Sequence, residues 1–296
     1  MNLSRRTFFK VATVVGATGL AGGRLEAAPQ RMAGAAQRSM LVDTTRCIGC
    51  RSCEVACAEA NVLPDPALEA PIEVRRVTDP EAFTVVNAYQ PRGADGPRFV
   101  KTQCNHCVEP GCASACPVRA LEKTASGPVV YHEDRCIGCR YCMLACPFEI
   151  PKYEYHKAVP YVRKCEFCAD RQAKGLAPAC ASVCPSGALQ VGTRAELIEE
   201  ARRRIYQNDG RYVPHIYGEH EVGGTSWLYL SDVPFEDIGL RTDLGVRGFA
   251  ELTQASLAAV PLVMMLWPPF LMALYTFSRR RETTAAAPAG EEASHG

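Results

Sequence analysis

Sixteen cysteines fall into four runs of four, with none left over. The runs are Cys47, Cys50, Cys53 and Cys57; Cys104, Cys107, Cys112 and Cys116; Cys136, Cys139, Cys142 and Cys146; and Cys165, Cys168, Cys180 and Cys184. Closely spaced thiolates, with a fourth a helical turn later, grip an iron–sulfur cube, whose four iron corners each take one soft anionic ligand. At four ligands per cube, the chain has room for four [4Fe–4S] clusters, with all sixteen cysteines as iron ligands. The chemistry this opens is one-electron transfer. Gly49 and Gly138 sit at the same place in runs one and three, where a residue without Cβ tolerates the wrap of the chain around a cube. Pro117, Pro147 and Pro185 follow the fourth cysteine of runs two, three and four, whereas Ala58 follows Cys57. That departure leaves ligation intact, because proline is not a ligand.

Two other uses of cysteine fit less well. Zinc takes two Cys-x-x-Cys pairs as one tetrahedral set and does not explain Cys53 or Cys142, each the third cysteine of an unbroken series. Disulfides suit an exported chain, but they join distant segments rather than tight clusters. His106, between Cys104 and Cys107, is expected at the surface rather than as a ligand, since a full cysteine quartet is at hand. Arg51, Arg140, Arg163 and Lys164 flank the cysteine loops, either as cations that favour a reduced cluster or as solvated loop charges.

These runs must be held by a body of limited size. Of 296 residues, 33 are basic and 32 acidic, which leaves no electrostatic footprint for nucleic acid. With 47% hydrophobic residues, 21 prolines and 23 glycines, the body is expected to be compact and loop-rich, with ligation supplying much of its folding energy. Arg46–Cys57 recurs as Arg135–Cys146 with nine identities in twelve positions, which reads as duplication of a two-cluster unit. Strands are expected at Met40–Val42, Ile72–Val77, Arg98–Thr102, Val129–His132 and Ala188–Gly192. Thr193 and Glu196 form a capping box that opens a helix to about Tyr206, with Leu197, Ile198, Ala201 and Ile205 on its apolar face. Residues 58–97 read as a proline-rich surface excursion. Ser226–Ser231 alternates like an edge strand, and Tyr212, Tyr217, Trp227 and Phe235 are expected to serve packing. No nucleophile–base set and no nucleotide-binding loop is present, so the chain is expected to have no catalytic site of its own.

The two ends carry addresses. Arg5 and Arg6, followed by Phe8, Phe9 and Lys10 and a weakly apolar stretch to Gly23, read as a twin-arginine (Tat) export signal, the route for a protein that crosses a membrane already folded around its clusters. Cleavage after Ala27, cleavage after the Ala33-Gly34-Ala35 triplet, or no cleavage all stay open. Ala255–Phe277 has no charged residue in 23 positions and is long enough to span a membrane, with kinks expected at Pro261, Pro268 and Pro269. Trp267 is too central for an interfacial anchor and is expected against a partner helix. Arg279–Arg281 then mark the cytoplasmic side. The expected order is a signal region at 1–35, a cluster domain at 36–206, a connecting segment at 207–250, an anchor helix at 251–278 and a cytoplasmic tail at 279–296, with the last dozen residues disordered. The body then sits on the periplasmic side of the cytoplasmic membrane, N-out and C-in.

Over residues 40–206 this layout resembles the four-cluster, ferredoxin-like beta subunits of membrane-bound oxidoreductases. The Cys107–Cys112 spacing and the long gap from Cys168 to Cys180 both match. Cys142-Met-Leu-Ala-Cys146-Pro147, Pro151-Lys-Tyr153, Pro214-His-Ile-Tyr-Gly218 and Gly223-Gly-Thr225 extend the likeness toward the Tat-exported, C-terminally anchored iron–sulfur subunits of hydrogenase-2-type uptake nickel–iron hydrogenases. The resemblance implies an α+β fold of two interleaved bacterial-ferredoxin-like halves, runs one and four in one half and runs two and three in the other. It implies one cluster on Cys47, Cys50, Cys53 and Cys184, and a second on Cys57, Cys165, Cys168 and Cys180. The third would lie on Cys104, Cys107, Cys112 and Cys146, and the fourth on Cys116, Cys136, Cys139 and Cys142. It also implies partners: the small and large subunits of a nickel–iron hydrogenase, and a multi-helix, quinone-reactive membrane subunit. The alternative is a molybdopterin oxidoreductase acting on tetrathionate, polysulfide or a similar anion.

Overall fold

The computed structural model describes residues 37–69 and 71–285. The expected Tat signal with its cleavage alternatives, and the tail from residue 286 on, lie outside the described residues. A three-stranded sheet organises the body. Its centre is β1 (Arg38–Asp43), flanked by β8 (Leu189–Thr193), antiparallel, and β9 (Trp227–Leu230), parallel. Successive side chains of a strand point to opposite faces. On one face Met40, Val42, Leu189, Trp227 and Tyr229 pack with Val100, Phe167 and Tyr217. On the other, Leu41, Leu228 and Leu230 meet Leu197, Ile198 and Ala201 of α6 (Arg194–Gln207). The Thr193–Glu196 capping box is formed in both directions at the start of that helix.

The ligand runs lie on short elements around this sheet. Runs one and four bring α1 (Ser52–Asn61) against α5 (Ala179–Ser182), with α4 (Ala169–Ala173) between the two parts of run four. Runs two and three bring α2 (Gly111–Ser114) against α3 (Tyr141–Leu144). Three two-stranded ribbons complete the body: β2 (Val85–Tyr89) with β3 (Arg98–Thr102), β4 (Leu121–Lys123) with β5 (Val129–Tyr131), and β6 (Lys152–Tyr153) with β7 (Val162–Arg163). A third, smaller core lies under runs two and three, and two of its five residues are Cys112 and Cys142.

Four expectations need correction. Ile72–Val77 forms no strand; the strand of that region is β2, which has the ladder partner that Ile72–Val77 lacks. Residues 58–97 are therefore not simply a surface excursion, since Phe83, Val85, Val86 and Tyr89 are buried. β9 does stand at the sheet's edge, but it is buried along its whole length instead of alternating, because both faces of the sheet are covered. His106 is fully buried rather than superficial.

The last element, α7 (Phe249–Ala285), runs as helix without interruption through Pro261, Pro268 and Pro269. Within it Ala259–Arg281 is long and apolar enough to cross a membrane. Its first turn docks on the body at a close approach: a Cβ at Gly111 would fall 3.1 Å from Phe249 Cβ and 2.8 Å from the Ala145 carbonyl oxygen.

Candidate cluster-binding site

Each ligand loop depends on residues in the left-handed region. Gly49 and Gly138 have φ of +68° and +69°, and Arg51 and Arg140 follow at +60° each, so runs one and three share one wrap. His106 at +45°, and Phe167 and Cys168 at +57° and +51°, supply the turn in runs two and four. These turns aim backbone N–H groups at sulfur: Ala120 to Cys116 Sγ at 3.2 Å, Phe167 to Cys165 Sγ at 3.3 Å and Gly138 to Cys136 Sγ at 3.4 Å. Such donors stabilise negative charge on sulfur.

No disulfide joins any of the sixteen cysteines. They gather across runs. Cys47, Cys50, Cys53 and Cys184 line one pocket. Cys57 feels the charge of Cys168 and Cys180, and Cys165 that of Cys57. Cys107 and Cys112 lie in the field of Cys104 and Cys146. Cys142 is surrounded by Cys116, Cys136 and Cys139. Burial, then the repulsion of neighbouring sulfurs, pushes the Cys107, Cys112 and Cys142 thiols up, Cys142 to about 11, and burial raises Cys57 to about 12 although Lys101 pulls it part of the way back. Thiols so placed ionise together only around a strongly cationic centre, which iron provides. A zinc ion would need its sulfurs about 3.8 Å apart. Among the described residues no group of three or more Cys, His, Asp or Glu side chains is set to hold a single metal ion. Each quartet offers the four thiolates that the four iron corners of a cubane take.

The flanking cations divide. Arg51 is buried and donates to Glu54 and to the Ala67 and Leu68 carbonyl oxygens, so it ties down the chain after run one rather than meeting solvent. Arg163 pairs with Glu154 and Glu133, and Arg140 is exposed over the Tyr153 and Tyr155 rings. Lys164 is buried and donates to the Val129 and Cys165 carbonyl oxygens.

Two lysines escape sequence reasoning, Lys101 buried and Lys123 half-buried. Lys101 on β3 lines the pocket of Cys47, Cys50, Cys53 and Cys184. Burial opposes its charge, yet the fields of Cys180, Cys53, Cys165 and Cys57 prevail and hold its pKa above the ordinary lysine value. Lys123 on β4 donates to the His106 carbonyl oxygen at 2.9 Å and to Ser226 Oγ, and burial brings it down to about 8 despite Cys107 and Cys104 nearby. The only sequence signal was a basic residue within a short strand that leads to, or lies among, ligand runs. His106 accepts from the Val129 N–H through Nδ1 at 2.9 Å and stacks on Phe167 at 5.3 Å, so the loops of runs two and four touch there. Burial and the lysines around it keep its pKa well below the usual histidine value.

Comparison with known proteins gives this arrangement a context. Two family models, each described as a 4Fe–4S dicluster domain, match residues 46–120 and 97–194. A protein of Nitratidesulfovibrio vulgaris is 48% identical over 252 residues, 83% of this chain and 68% of its own. Hydrogenase-2 operon protein HybA of Escherichia coli O157:H7 is 37% identical over 236 residues, 68% of this chain and 72% of its own. The iron–sulfur subunit of the nitrate-inducible formate dehydrogenase of E. coli K12 is 36% identical over 202 residues, 66% of this chain and 68% of its own. With two dicluster domains and sixteen cysteines, the chain carries four [4Fe–4S] clusters.

Proposed function

Since this chain belongs to the family of ferredoxin-like iron–sulfur electron-transfer subunits, we propose that it relays electrons between a periplasmic catalytic subunit and a quinone-reactive membrane partner, with no catalytic site of its own. Each bound cluster supplies one-electron redox chemistry. The chain's own residues hold the sulfurs, exclude water and fix the spacing. The ligand sets are the four cross-run quartets: Cys47, Cys50, Cys53 and Cys184; Cys57, Cys165, Cys168 and Cys180; Cys104, Cys107, Cys112 and Cys146; Cys116, Cys136, Cys139 and Cys142. In each quartet the fourth cysteine of one run joins three from its partner run, so the body is two interleaved ferredoxin-like halves. The observation that carries the reading is the gathering of the cysteines across runs, one against four and two against three.

The His106–Phe167 stack joins a run-two loop to a run-four loop, which makes it the crossing between halves. The first turn of α7 docks beside α2, so the half built from runs two and three lies nearer the membrane. α7 anchors the chain once, with Arg279–Arg281 on the cytoplasmic side and the body outside. A nickel–iron hydrogenase is the favoured catalytic partner, supported by the likeness to the hydrogenase-2 operon protein. The likeness to a formate dehydrogenase subunit favours, as second reading, a molybdopterin-type partner.

Anaerobic purification of the membrane complex, with iron counted per chain and the co-purifying subunits identified, tests both. About sixteen irons per chain and hydrogenase subunits are the expected result. About four irons would sink the relay, and a molybdopterin subunit would replace the first partner by the second.

A further inference from the structure

Lys101 is a buried cation whose hydrogen bonds include no anion. It is 3% exposed, and among the described residues no Asp or Glu forms an ion pair with it. Its Nζ donates to Gln103 Oε1 at 3.0 Å and lies 4.5 Å above the Trp227 ring. Gln103 Nε2 donates to Tyr229 Oη at 2.7 Å, and that hydroxyl donates to the Lys101 carbonyl oxygen at 3.0 Å. The side chain is thus held in a closed ring of neutral partners, anchored on the central sheet. Burying a charge without a counter-charge is costly. What faces it instead is sulfur, since it lines the pocket of Cys47, Cys50, Cys53 and Cys184.

We infer that Lys101 is a positioning residue, the shared counter-cation of the two clusters held by runs one and four, and that its fixed charge raises the reduction potential of both. A cluster gains one negative charge on reduction, and a cation held nearby in a poorly polarisable medium favours that form. Because Lys101 lines the pocket of the first quartet and lies over Trp227, which shares one core with Cys180 of the second, it brings the two potentials up together and leaves the step between them unchanged. The inference rests on the quartet assignment above.

The experiment uses the full chain in its anaerobically purified complex. Iron per chain is measured first, because a wild-type count well below sixteen would end the quartet assignment whatever Lys101 does. Potentials of the four clusters are then read by EPR-monitored redox titration in wild type, Lys101→Met and Lys101→Arg. With full iron in all three, the Met variant should move two of the four potentials to more negative values and leave two in place, while Arg restores wild-type values. Four unchanged potentials would overturn the inference. So would an equal shift in all four, or a Lys101→Arg protein that behaves like Lys101→Met. Should the Met variant lose iron, Lys101→Gln, which keeps a donor toward Gln103, is read on the same terms, and iron loss in the Arg variant as well would reduce Lys101 to a structural role.

Discussion

Run one and run three share nine of twelve residues and the same pair of left-handed turns, yet their helices differ in length: ten residues in α1, four in α3. Pro147 accounts for the short one. A residue before proline is pushed out of the helical region, so the helix must end before Cys146, and α3 stops at Leu144. Ala58 imposes no such limit, and α1 continues to Asn61, where Val62 in the left-handed region ends it. A second difference lies inside the repeat, where Glu54 stands opposite Met143. Glu54 is buried and accepts from Arg51, from Arg76 and from the Val86 N–H, which pins residues 63–89 onto α1. The motif fixes the ligand loop, and single residues just outside the ligands decide what is built on it.

The comparison can be broken at several strengths. Removing iron from the whole chain should have the largest effect and should strike the halves unequally. The core under runs two and three is partly made of ligand cysteines, whereas runs one and four rest on the main sheet. Hydrogen exchange should therefore show residues 104–163 losing protection before β1, β9 and α6; the reverse order would mean that the sheet, too, is held by metal.

Glu54→Ala leaves the buried Arg51 and the half-buried Arg76 guanidinium without their shared carboxylate. A loss of about 3–5 kcal/mol in denaturant unfolding of the loaded protein is expected. Limited proteolysis should then open residues 63–84 first. Ala58→Pro copies the run-three ending into α1 and should cost about 3 kcal/mol with iron retained; an unaffected midpoint would show that the last turns of α1 contribute nothing. Gly49→Ala and Gly138→Ala both strain a left-handed position by about 1–2 kcal/mol. The former should be worse, because its Cβ meets the Phe99 ring at 2.6 Å while that of Gly138 meets only the Tyr153 hydroxyl at 2.9 Å. Pro147→Ala should be mildest, about 1 kcal/mol, and circular dichroism should show whether helix is added after Cys146.

Much of this was legible beforehand. Thiolate chemistry imposes strict spacing, so the four runs stood out, and β3, β8 and the capped helix α6 were readable from turn and capping residues. The failures share a physical cause. Ile72–Val77 and Val85–Tyr89 are both plausible β segments, and only the second finds a partner in β3. His106 and Lys101 are polar letters that sequence assigns to the surface, and their burial, like the half-burial of Lys123, comes from packing between runs far apart in the chain. The reach of α1 hung on reading Ala58 as permission to continue rather than as a neutral exchange.

The parallel pairing of β9 with β1 has a bearing on the order of events in synthesis. Met40 aligns with Trp227 and Arg38 with Thr193, so both seams of the central sheet enclose every ligand between Cys47 and Cys184. A nascent chain has exposed all sixteen thiols before either seam can shut. Cofactor insertion thus has a window that the ribosome opens and the sheet's own closure ends, and a chain cut short before Leu230 would keep β1 with one bare edge, ready to pair with a neighbour.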